Sequence, residues 1–341
     1  MNDTLLDADG EEALYSSFGH FWLPVAYSTD LTGDPVAVRV RDNDLVLARL
    51  NGEVRAFADL CPHRGARLSL GWVEDDSLRC AYHGWLFDCG GACIQIPGSG
   101  DRHIPARARL RGYQCVESGG LVWVCLEEHP RFDVPRFAEY EDPGYRIVSI
   151  PAVDWNAGAA RRVENFIDLA HIPWVHDGQL GSRDRPELPS HDLRREGDCI
   201  HMWGSFAEVP SIKTRTSELD EADPSLTSRH NWRVHMPLTV WWQQVLPGGR
   251  HFGLLVAALP VSRGLTRTFM LNFRNFAQEE PDGPFCQFQV EIAERDRAVV
   301  ESQRPEQLPL DLTVELHTRA ADKMSIEYRR WLVELTGESR P

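Results

Sequence analysis

Two short Cys/His pairs constrain this chain of 341 residues more than any other feature. Cys61 and His63 are separated by one residue, and Cys80 and His83 are separated by two. Thiols and imidazoles grouped in two tight pairs are the ligand set of a transition metal. The sequence therefore predicts two neighbouring loops that close around one metal centre.

Structural zinc and an iron–sulfur cluster are the two interpretations of these pairs. A zinc site with two cysteines and two histidines more often keeps the cysteines together in one pair. Here each pair is mixed, which suits a [2Fe–2S] cluster with one iron on two thiolates and the other on two imidazoles. Gly65 and Gly84, which follow the pairs, allow the backbone to bend closely around such a group.

The stretches CPHRG and CAYHGW resemble the Rieske cluster signature, with sixteen residues between His63 and Cys80. Neither loop carries the extra cysteine of respiratory Rieske proteins, so the resemblance is to the oxygenase branch. It implies that Cys61, His63, Cys80 and His83 bind a Rieske [2Fe–2S] cluster. Cys89 and Cys93 follow closely and are interpreted as incidental to it.

The pattern along the chain predicts an all-β domain followed by an α+β domain. Alternating residues with turn signals at 42–44 and 51–52 indicate short antiparallel strands, and the charged, proline-containing residues 127–137 resemble a linker. The predicted division is an N-terminal segment 1–19, a β domain 20–130 and a second domain 131–341. In the second domain, helical spacing appears at 161–172, 284–303 and 313–336, and strand-like sequence at 198–276.

A second candidate metal site lies in the sequence RRVENFIDLAHIPWVHDG. On a helix, Glu164, Asp168 and His171 would share one face, and Pro173 would break the helix so that His176 can turn towards His171. By itself, such a set of polar residues is more often a solvated helix face. Its spacing, however, resembles the mononuclear iron motif of Rieske oxygenases. Its position after a Rieske-like motif favours the same interpretation.

A facial iron site requires a third, carboxylate ligand. In the predicted helix 284–303, the residues Phe285, Phe288, Ile292, Val299 and Gln303 form one stripe, with Asp296 in its middle. A carboxylate on a buried face is costly without a cationic partner. Asp296 is therefore the predicted third ligand.

The resemblance to Rieske non-haem iron oxygenases covers nearly the whole chain and implies several further properties. The second domain is expected to have a helix-grip (START-like) fold with an antiparallel sheet. His171, His176 and Asp296 would bind mononuclear Fe(II). Asp168 would bridge this iron to the Rieske histidine of a neighbouring subunit in a homotrimer, and Asn165 is a candidate hydrogen-bonding residue near the iron.

The chain length and its C-terminal sequence are similar to the stand-alone oxygenases that hydroxylate or remove O- or N-methyl groups. The implied activity uses O2 and electrons from an NAD(P)H-dependent reductase, with or without a ferredoxin, on a small aromatic or heterocyclic molecule. Ring cis-dihydroxylation is the alternative reaction, and a non-enzymatic electron carrier is the alternative class. The sequence does not identify the substrate.

Net charge and hydropathy limit the partners and the location. The formal charge of −15 argues against nucleic acid or an anionic membrane as a partner. The acidic N-terminal residues do not resemble a signal peptide, and no apolar run could span a bilayer, so a cytoplasmic protein is expected. Of the nine histidines outside the two motifs, three are candidates for cavity lining, as are six other strand residues: His230, His235, His251, Trp241, Trp242, Gln243, Gln244, Asn272 and Asn275.

Overall fold

The computed structural model describes residues 4–100, 103–207 and 227–337. These residues form two compact units. The N-terminal unit comprises Gly19–Arg136, and the C-terminal unit comprises the described residues from Phe137 onward together with those up to Phe18. The first helix, α1 (Thr4–Ser17), therefore belongs to the C-terminal unit, where it packs against the last helix.

The N-terminal unit is built from short antiparallel strands. A six-stranded sheet has the order β1-β10-β9-β4-β3-β2, and a four-stranded sheet has the order β5-β6-β7-β8. The strands are β1 Leu23–Tyr27, β2 Val36–Val40, β3 Asn43–Leu50, β4 Glu53–Ala58, β5 Trp72–Glu74, β6 Ser77–Arg79, β7 Leu86–Phe87, β8 Cys93–Gln95, β9 Gly112–Ser118 and β10 Leu121–Cys125.

Turn chemistry sets the register of the first hairpins. Asn51 and Gly52 both have positive φ, as a two-residue turn between β3 and β4 requires. The preceding turn is at Arg41 and Asp42, one residue before the sequence signal. The apolar residues of β3 and β4 then join the loops in one core that contains Cys61 and Cys80.

The C-terminal unit is an antiparallel sheet with helices packed against it, a helix-grip arrangement. The seven strands have the order β11-β17-β16-β15-β14-β13-β12. The strands are β11 Arg146–Trp155, β12 His191–Glu196, β13 Cys199–Ala207, β14 Thr227–His235, β15 Thr239–Leu246, β16 Arg250–Ser262 and β17 Leu265–Arg274. The helices after α1 are α2 Ala138–Glu141, α3 Ala159–Ile167, α4 Ile172–Val175, α5 Gly283–Val300 and α6 Lys323–Gly337.

Helix α5 packs on the sheet through a buried stripe that differs from the predicted one. Its buried residues are Phe285, Gln289, Ala293, Asp296 and Val300. The predicted burial is confirmed for Asp296 and wrong for Val299, which is exposed. Ala293 and Val300 belong to one hydrophobic core with Ile150, Leu254, Val256 and Met270 of the sheet, so packing against the sheet selects a slightly different face from an ideal 3.6-residue period.

The last predicted helix begins later than the sequence pattern indicated. Residues 313–322 are irregular, and α6 starts at Lys323. Thr313 donates from its backbone and hydroxyl to Asp311, and Thr318 does the same to Asp322. Such local side-chain hydrogen bonds compete with a helix, which explains the shorter element.

Candidate metal centres

The two Cys/His loops of the N-terminal unit fold in the same way. The N–H of Cys61 donates to the carbonyl of Ala66, and that of Gly65 donates back to the carbonyl of Cys61. In the second loop, Cys80 donates to Trp85 and Gly84 donates back to Cys80, at 2.9 and 3.0 Å. Each loop is therefore a closed backbone turn that aims its cysteine inward.

A glycine completes each turn for a conformational reason. Gly65 and Gly84 both have φ of 71°, in the left-handed region that L side chains rarely adopt. The equal values explain why the same residue follows both pairs although the histidine spacing differs.

The four side chains meet with the thiols inside and the imidazoles outside. Cys61 and Cys80 are buried side by side, and burial together with the neighbouring thiol raises the pKa of metal-free Cys61 to about 11. The rings of His63 and His83 are 4.5 Å apart, with His83 exposed. His63 stacks on Trp85 at 4.6 Å, and partial desolvation and the nearby His83 lower its pKa.

This arrangement fits the mixed ligand set of a Rieske [2Fe–2S] cluster. Nδ1 of His63 is buried and has no hydrogen-bond partner among the described residues. A buried imidazole nitrogen without a partner is costly, and iron binds neutral imidazoles together with the thiolates that two adjacent cysteines would supply. Cys93 does not belong to this ligand set, because its thiol donates a hydrogen bond to the carbonyl of Gln95.

In the C-terminal unit, helix α3 ends before the predicted metal residues. Asp168 has an extended backbone, with φ −75° and ψ 123°, so the predicted helix 161–172 stops at Ile167. The carboxylate of Asp168 accepts a 2.8 Å hydrogen bond from the N–H of Ala170, an Asx turn that competes with the helix. Pro173 lies in the first turn of the short helix α4, where proline is favoured, rather than breaking a longer helix.

His171, His176 and Asp296 converge on one point. Asp296 Oδ1 lies 2.9 Å from Nε2 of His176 and 3.4 Å from Nε2 of His171. The two imidazole rings are 5.3 Å apart. Ligands about 2.1 Å from a metal, at right angles, lie about 3 Å from each other, so these separations are those of a facial triad.

The triad also has the chemistry of a metal site. His176 and Asp296 are buried, yet Oδ1 of Asp296 has no hydrogen-bond partner among the described residues. The close approach to His176 thus lacks hydrogen-bond geometry. A cation between the three atoms would satisfy the carboxylate, and two histidines with one carboxylate suit Fe(II).

Asp168 lies behind His171. Its Oδ2 is 3.4 Å from Nδ1 of His171, the nitrogen that faces away from Asp296. Desolvation lowers the pKa of His171, but the carboxylates of Asp168 and Asp296 outweigh this effect, and the net pKa is raised. A carboxylate in this position fixes which ring nitrogen carries the proton.

Glu164 is not part of the metal group. It forms a two-point ion pair with Arg329 of α6 at 2.6 and 2.7 Å, while Arg161 and Arg329 both contact Glu315. This buried network connects α3 to α6 and to the irregular segment before it. Glu164 therefore stabilises the fold around the site.

Arg162 is a residue near the site that the sequence reasoning missed. Its guanidinium is buried 4.3 Å above the ring of Trp155. It donates to Oδ1 of Asn165 at 3.1 Å, so Asn165 is held by an arginine rather than by a group of the triad. Burial lowers the pKa of Arg162 to about 10, and the charge of Asp296 opposes that shift. The sequence signal was an arginine on the apolar side of α3.

A cavity of about 490 Å³ adjoins the triad. Leu169 and Ile172, which flank His171, and Gln289 and Ile292, which precede Asp296 on α5, line it. Its ring-bearing residues are Phe166, Phe206, His230, Trp232, Trp242 and Phe288.

A second cavity, of about 190 Å³, contacts the triad directly. His171 and Asp296 line it together with Asp168, Asn165 and Glu164. This second cavity is polar and shares no described lining residue with the first.

Strand alternation decides which of the considered strand residues line the larger cavity. His230 and Trp242 do, on the face that also carries Trp232. Trp241 points to the opposite face and stacks on Phe273. Gln244 bonds to Ser228, Asn272 to the carbonyl of Gly253, Asn275 to the backbone of His251, and Gln243 lies near Glu139.

An all-β domain with a Rieske ligand set and a helix-grip domain with a facial triad together define an iron-dependent oxygenase. Residues 21–114 match the Rieske [2Fe-2S] domain, and residues 155–338 match the vanillate O-demethylase oxygenase C-terminal domain. The chain belongs to the Rieske non-haem iron oxygenases, as an oxygenase component of the demethylase branch. Members of this family use a Rieske [2Fe–2S] cluster and a mononuclear iron.

Relatives match over nearly their full length. Methylxanthine N1-demethylase NdmA of Pseudomonas putida is 32% identical over 329 residues, which cover 93% of this chain and 88% of that protein. Methylxanthine N3-demethylase NdmB of the same organism is 31% identical, with 93% and 89% covered. The structure of NdmA with caffeine has a TM-score of 0.83 at 30% identity, covering 95% and 93%.

Dicamba monooxygenase shares the fold, with a TM-score of 0.81 at 23% identity and coverage of 94% and 97%. None of the helices in the described residues is long and apolar enough to cross a bilayer.

Proposed function

We propose that Cys61 and Cys80 bind one iron of the Rieske cluster and that His63 and His83 bind the other. His171, His176 and Asp296 bind the mononuclear Fe(II). The convergence of the triad and Oδ1 of Asp296, which is unpartnered among the described residues, support the assignment of the mononuclear site. The two domains follow the compact units, with the division near residue 136.

We infer that the protein removes an N-methyl group from a neutral, planar heteroaromatic molecule. The observation that carries this inference is the aromatic cavity beside the triad. Rings such as Phe206, Trp232 and Trp242 stack well on a flat ligand. Methylxanthine demethylases at about one-third identity support the same substrate class.

The polar groups of the cavity favour an uncharged substrate. Gln289 is buried and His230 half-buried, and both can bond to ring carbonyls or nitrogens. Among the described lining residues, Arg185 and Glu187 are exposed, so neither is a buried counter-charge for an ionised substrate.

The reaction balances as R–N–CH3 with O2, two electrons and two protons giving R–N–H, formaldehyde and water. When bound, the two iron centres supply electrons one at a time and the means to activate dioxygen. The cavity holds the methyl group towards the triad and excludes water around it. Oδ2 of Asp168 lies 3.4 Å from Nδ1 of His171, where its charge favours a proton on that nitrogen and leaves Nε2 free to face the metal position.

Rieske oxygenases work with reductase or ferredoxin partners and small-molecule substrates. We propose an NAD(P)H-dependent reductase, with or without a ferredoxin, as the electron source. Reduced pyridine nucleotides and unpaired cysteines both favour the cytoplasm as the location.

We also propose a homotrimer in which Asp168 meets the Rieske histidines of a neighbouring copy. In the N-terminal unit, exposed apolar residues lie on or near the cluster loops, with Tyr82 63% exposed beside His83. In the C-terminal unit, Val299 and Leu316 line the cavity that contains Asp168, and Leu316 is 96% exposed. Such apolar surfaces beside both redox groups favour a second copy of the chain as the partner.

Turnover with a reductase, NADH and dissolved O2 tests the activity. Caffeine and theophylline would be compared with an anionic aromatic methyl ether, and formaldehyde and NADH would be measured together. We expect about one formaldehyde per NADH with the neutral N-methyl compounds. Formaldehyde only from the methyl ether would contradict the proposed substrate class, and a cis-diol would identify a dioxygenase.

Mixing two inactive variants tests the electron route between copies. Cys80→Ser removes the cluster and His176→Ala removes the mononuclear site. If electrons pass between copies, mixed oligomers regain activity, whereas a route within one chain leaves the mixture inactive. A monomer in light scattering would contradict the trimer independently.

A further inference from the structure

The C-terminal unit contains a second group of metal-ligating side chains, on the sheet face opposite the cavity. Cys199 begins β13 and is directly opposite His235, the last residue of β14. Asp198 precedes Cys199 in the tight turn after β12. On β14, Trp232 faces the cavity, and His235, three residues later, faces the other side.

The ligand atoms of this group converge. The Cys199 thiol sulfur lies 3.2 Å from Oδ1 of Asp198 and 3.3 Å from Nδ1 of His235. One atom from each residue lies within 4.8 Å of the others. Tetrahedral zinc with Zn–S of about 2.3 Å and Zn–N of about 2.0 Å separates its sulfur and nitrogen ligands by about 3.5 Å. A small adjustment of the side chains would admit the ion.

Hydrogen bonding alone does not satisfy this group. The one thiol proton is donated to Asp198, and Nδ1 of His235 lies beside the same sulfur. Nε2 of His235 is buried without a hydrogen-bond partner among the described residues, and the ring meets Phe137 edge to face at 5.5 Å. A proton on Nδ1 could be donated to the sulfur, but Nε2 would then be a buried lone pair without a partner. A proton on Nε2 would have no acceptor in the described part of the chain, so either tautomer leaves one ring nitrogen unsatisfied.

We propose that Asp198, Cys199 and His235 form a binding site for a thiophilic divalent cation, with zinc as the expected ion. Thiolate, imidazole and carboxylate are the three ligand types that zinc takes, and the fourth position is left for water. On binding, the thiol releases its proton, so the thiolate and the carboxylate neutralise the two charges of the ion.

On binding, His235 would contribute a neutral imidazole and Cys199 would lose its thiol proton. The site would join the β12–β13 turn to the end of β14, and the ion would stabilise that end of the sheet.

Zinc retention by the iron-loaded protein tests this site. Protein exposed to excess zinc is passed through a desalting column, and zinc and iron per chain are measured together. We compare the parent chain with Cys199→Ser, Asp198→Asn and the control Cys286→Ser, which removes a half-buried thiol elsewhere in the same unit. The parent and the control are expected to retain one zinc more than the other two variants, with equal iron.

Cobalt provides a second measurement that does not depend on the Cys199 variant folding well. A thiolate-to-cobalt charge-transfer band should appear in the parent and weaken in Asp198→Asn, whose mutated side chain is half-buried in a turn. Zinc should raise the Tm of the parent and the control but not of the variants. Equal zinc retention in all four proteins, or a cobalt band that persists in Cys199→Ser, would overturn the proposal.

Discussion

The two proposed iron sites of this protein are held by different physical means. The Rieske ligands lie between Cys61 and His83, on two turns that close through their own backbone hydrogen bonds. The triad draws His171 and His176 from the segment after α3 and Asp296 from α5, far along the chain. The first site depends on local turns and the second on the packing of α5 against the sheet.

Because of this difference, metal binding is linked to protein stability in one way at the cluster and in another way at the triad. The cluster loops keep their shape through local bonds, so a change in one loop should be felt mainly at the cluster. The triad exists only when α5 is packed in place through Ala293 and Val300. Iron at the triad should therefore stabilise the whole C-terminal unit by mass action.

The largest expected effect is the loss of one iron site without the other. Asp296→Ala removes the carboxylate ligand, and since a catalytic metal contributes several kcal/mol, turnover should fall by at least about 10³-fold. Iron per chain should fall by about one, while the reduced Rieske spectrum stays unchanged.

The matched variant for this test is Cys80→Ser, which should lose the cluster and keep one iron. Loss of the cluster spectrum in Asp296→Ala would mean that the two sites are not independent, and the contrast between them would fail.

The next largest effect on turnover is expected from Asp168, the proposed link between the two iron sites. Asp168→Asn keeps the shape and the acceptor oxygen but removes the charge beside His171. Both metals should remain bound, while turnover falls by about 100-fold, the usual upper range for a residue that orients a metal ligand. Rapid mixing of reduced enzyme with O2 and substrate should show slow oxidation of the cluster. Fast cluster oxidation in this variant would remove Asp168 from the electron route.

The same contrast explains how far the sequence could be interpreted. The cluster ligands could be predicted because a local spacing fixes their geometry. Asp296 could also be predicted as a ligand, because a lone carboxylate in an apolar stripe is unusual. The end of α3 at Ile167 was missed, since the Asx turn of Asp168 competes with the helix, and the role of Arg162 depends on Trp155, Asn165 and Asp296, which only the folded unit brings together.

A smaller effect on stability is expected from Arg162, whose buried charge lies near Asp296. Arg162→Met keeps most of the side-chain volume but removes the buried charge near Asp296, which leaves that carboxylate uncompensated in the iron-free protein. Contacts to Trp155 and Asn165 are lost with and without iron and cancel in the comparison. Iron should therefore raise the stability of the variant by about 1–2 kcal/mol more than that of the parent.

Thermal unfolding with and without Fe(II) measures this difference. Arg162→Lys is the control, because it keeps a positive charge while losing the planar contact with Trp155. An equal stabilisation by iron in Arg162→Met and the parent would show that the charge of Arg162 does not act on the triad.

The smallest effect separates the two loops of the cluster itself. Gly65→Ala and Gly84→Ala each force a side chain to φ of 71°, which costs about 1–2 kcal/mol. A new Cβ at Gly65 meets only the flexible end of Leu60 at 3.6 Å, whereas at Gly84 it meets the ring of Pro97 at 3.3 Å. We expect both variants to lose the cluster at a lower temperature than the parent, and Gly84→Ala at a slightly lower temperature than Gly65→Ala.

Asn at either position should recover part of the loss, because Asn tolerates this φ better than Ala. If heating these variants released the mononuclear iron before the cluster, the loops would not be the locally held element, and the contrast between the two sites would be reversed.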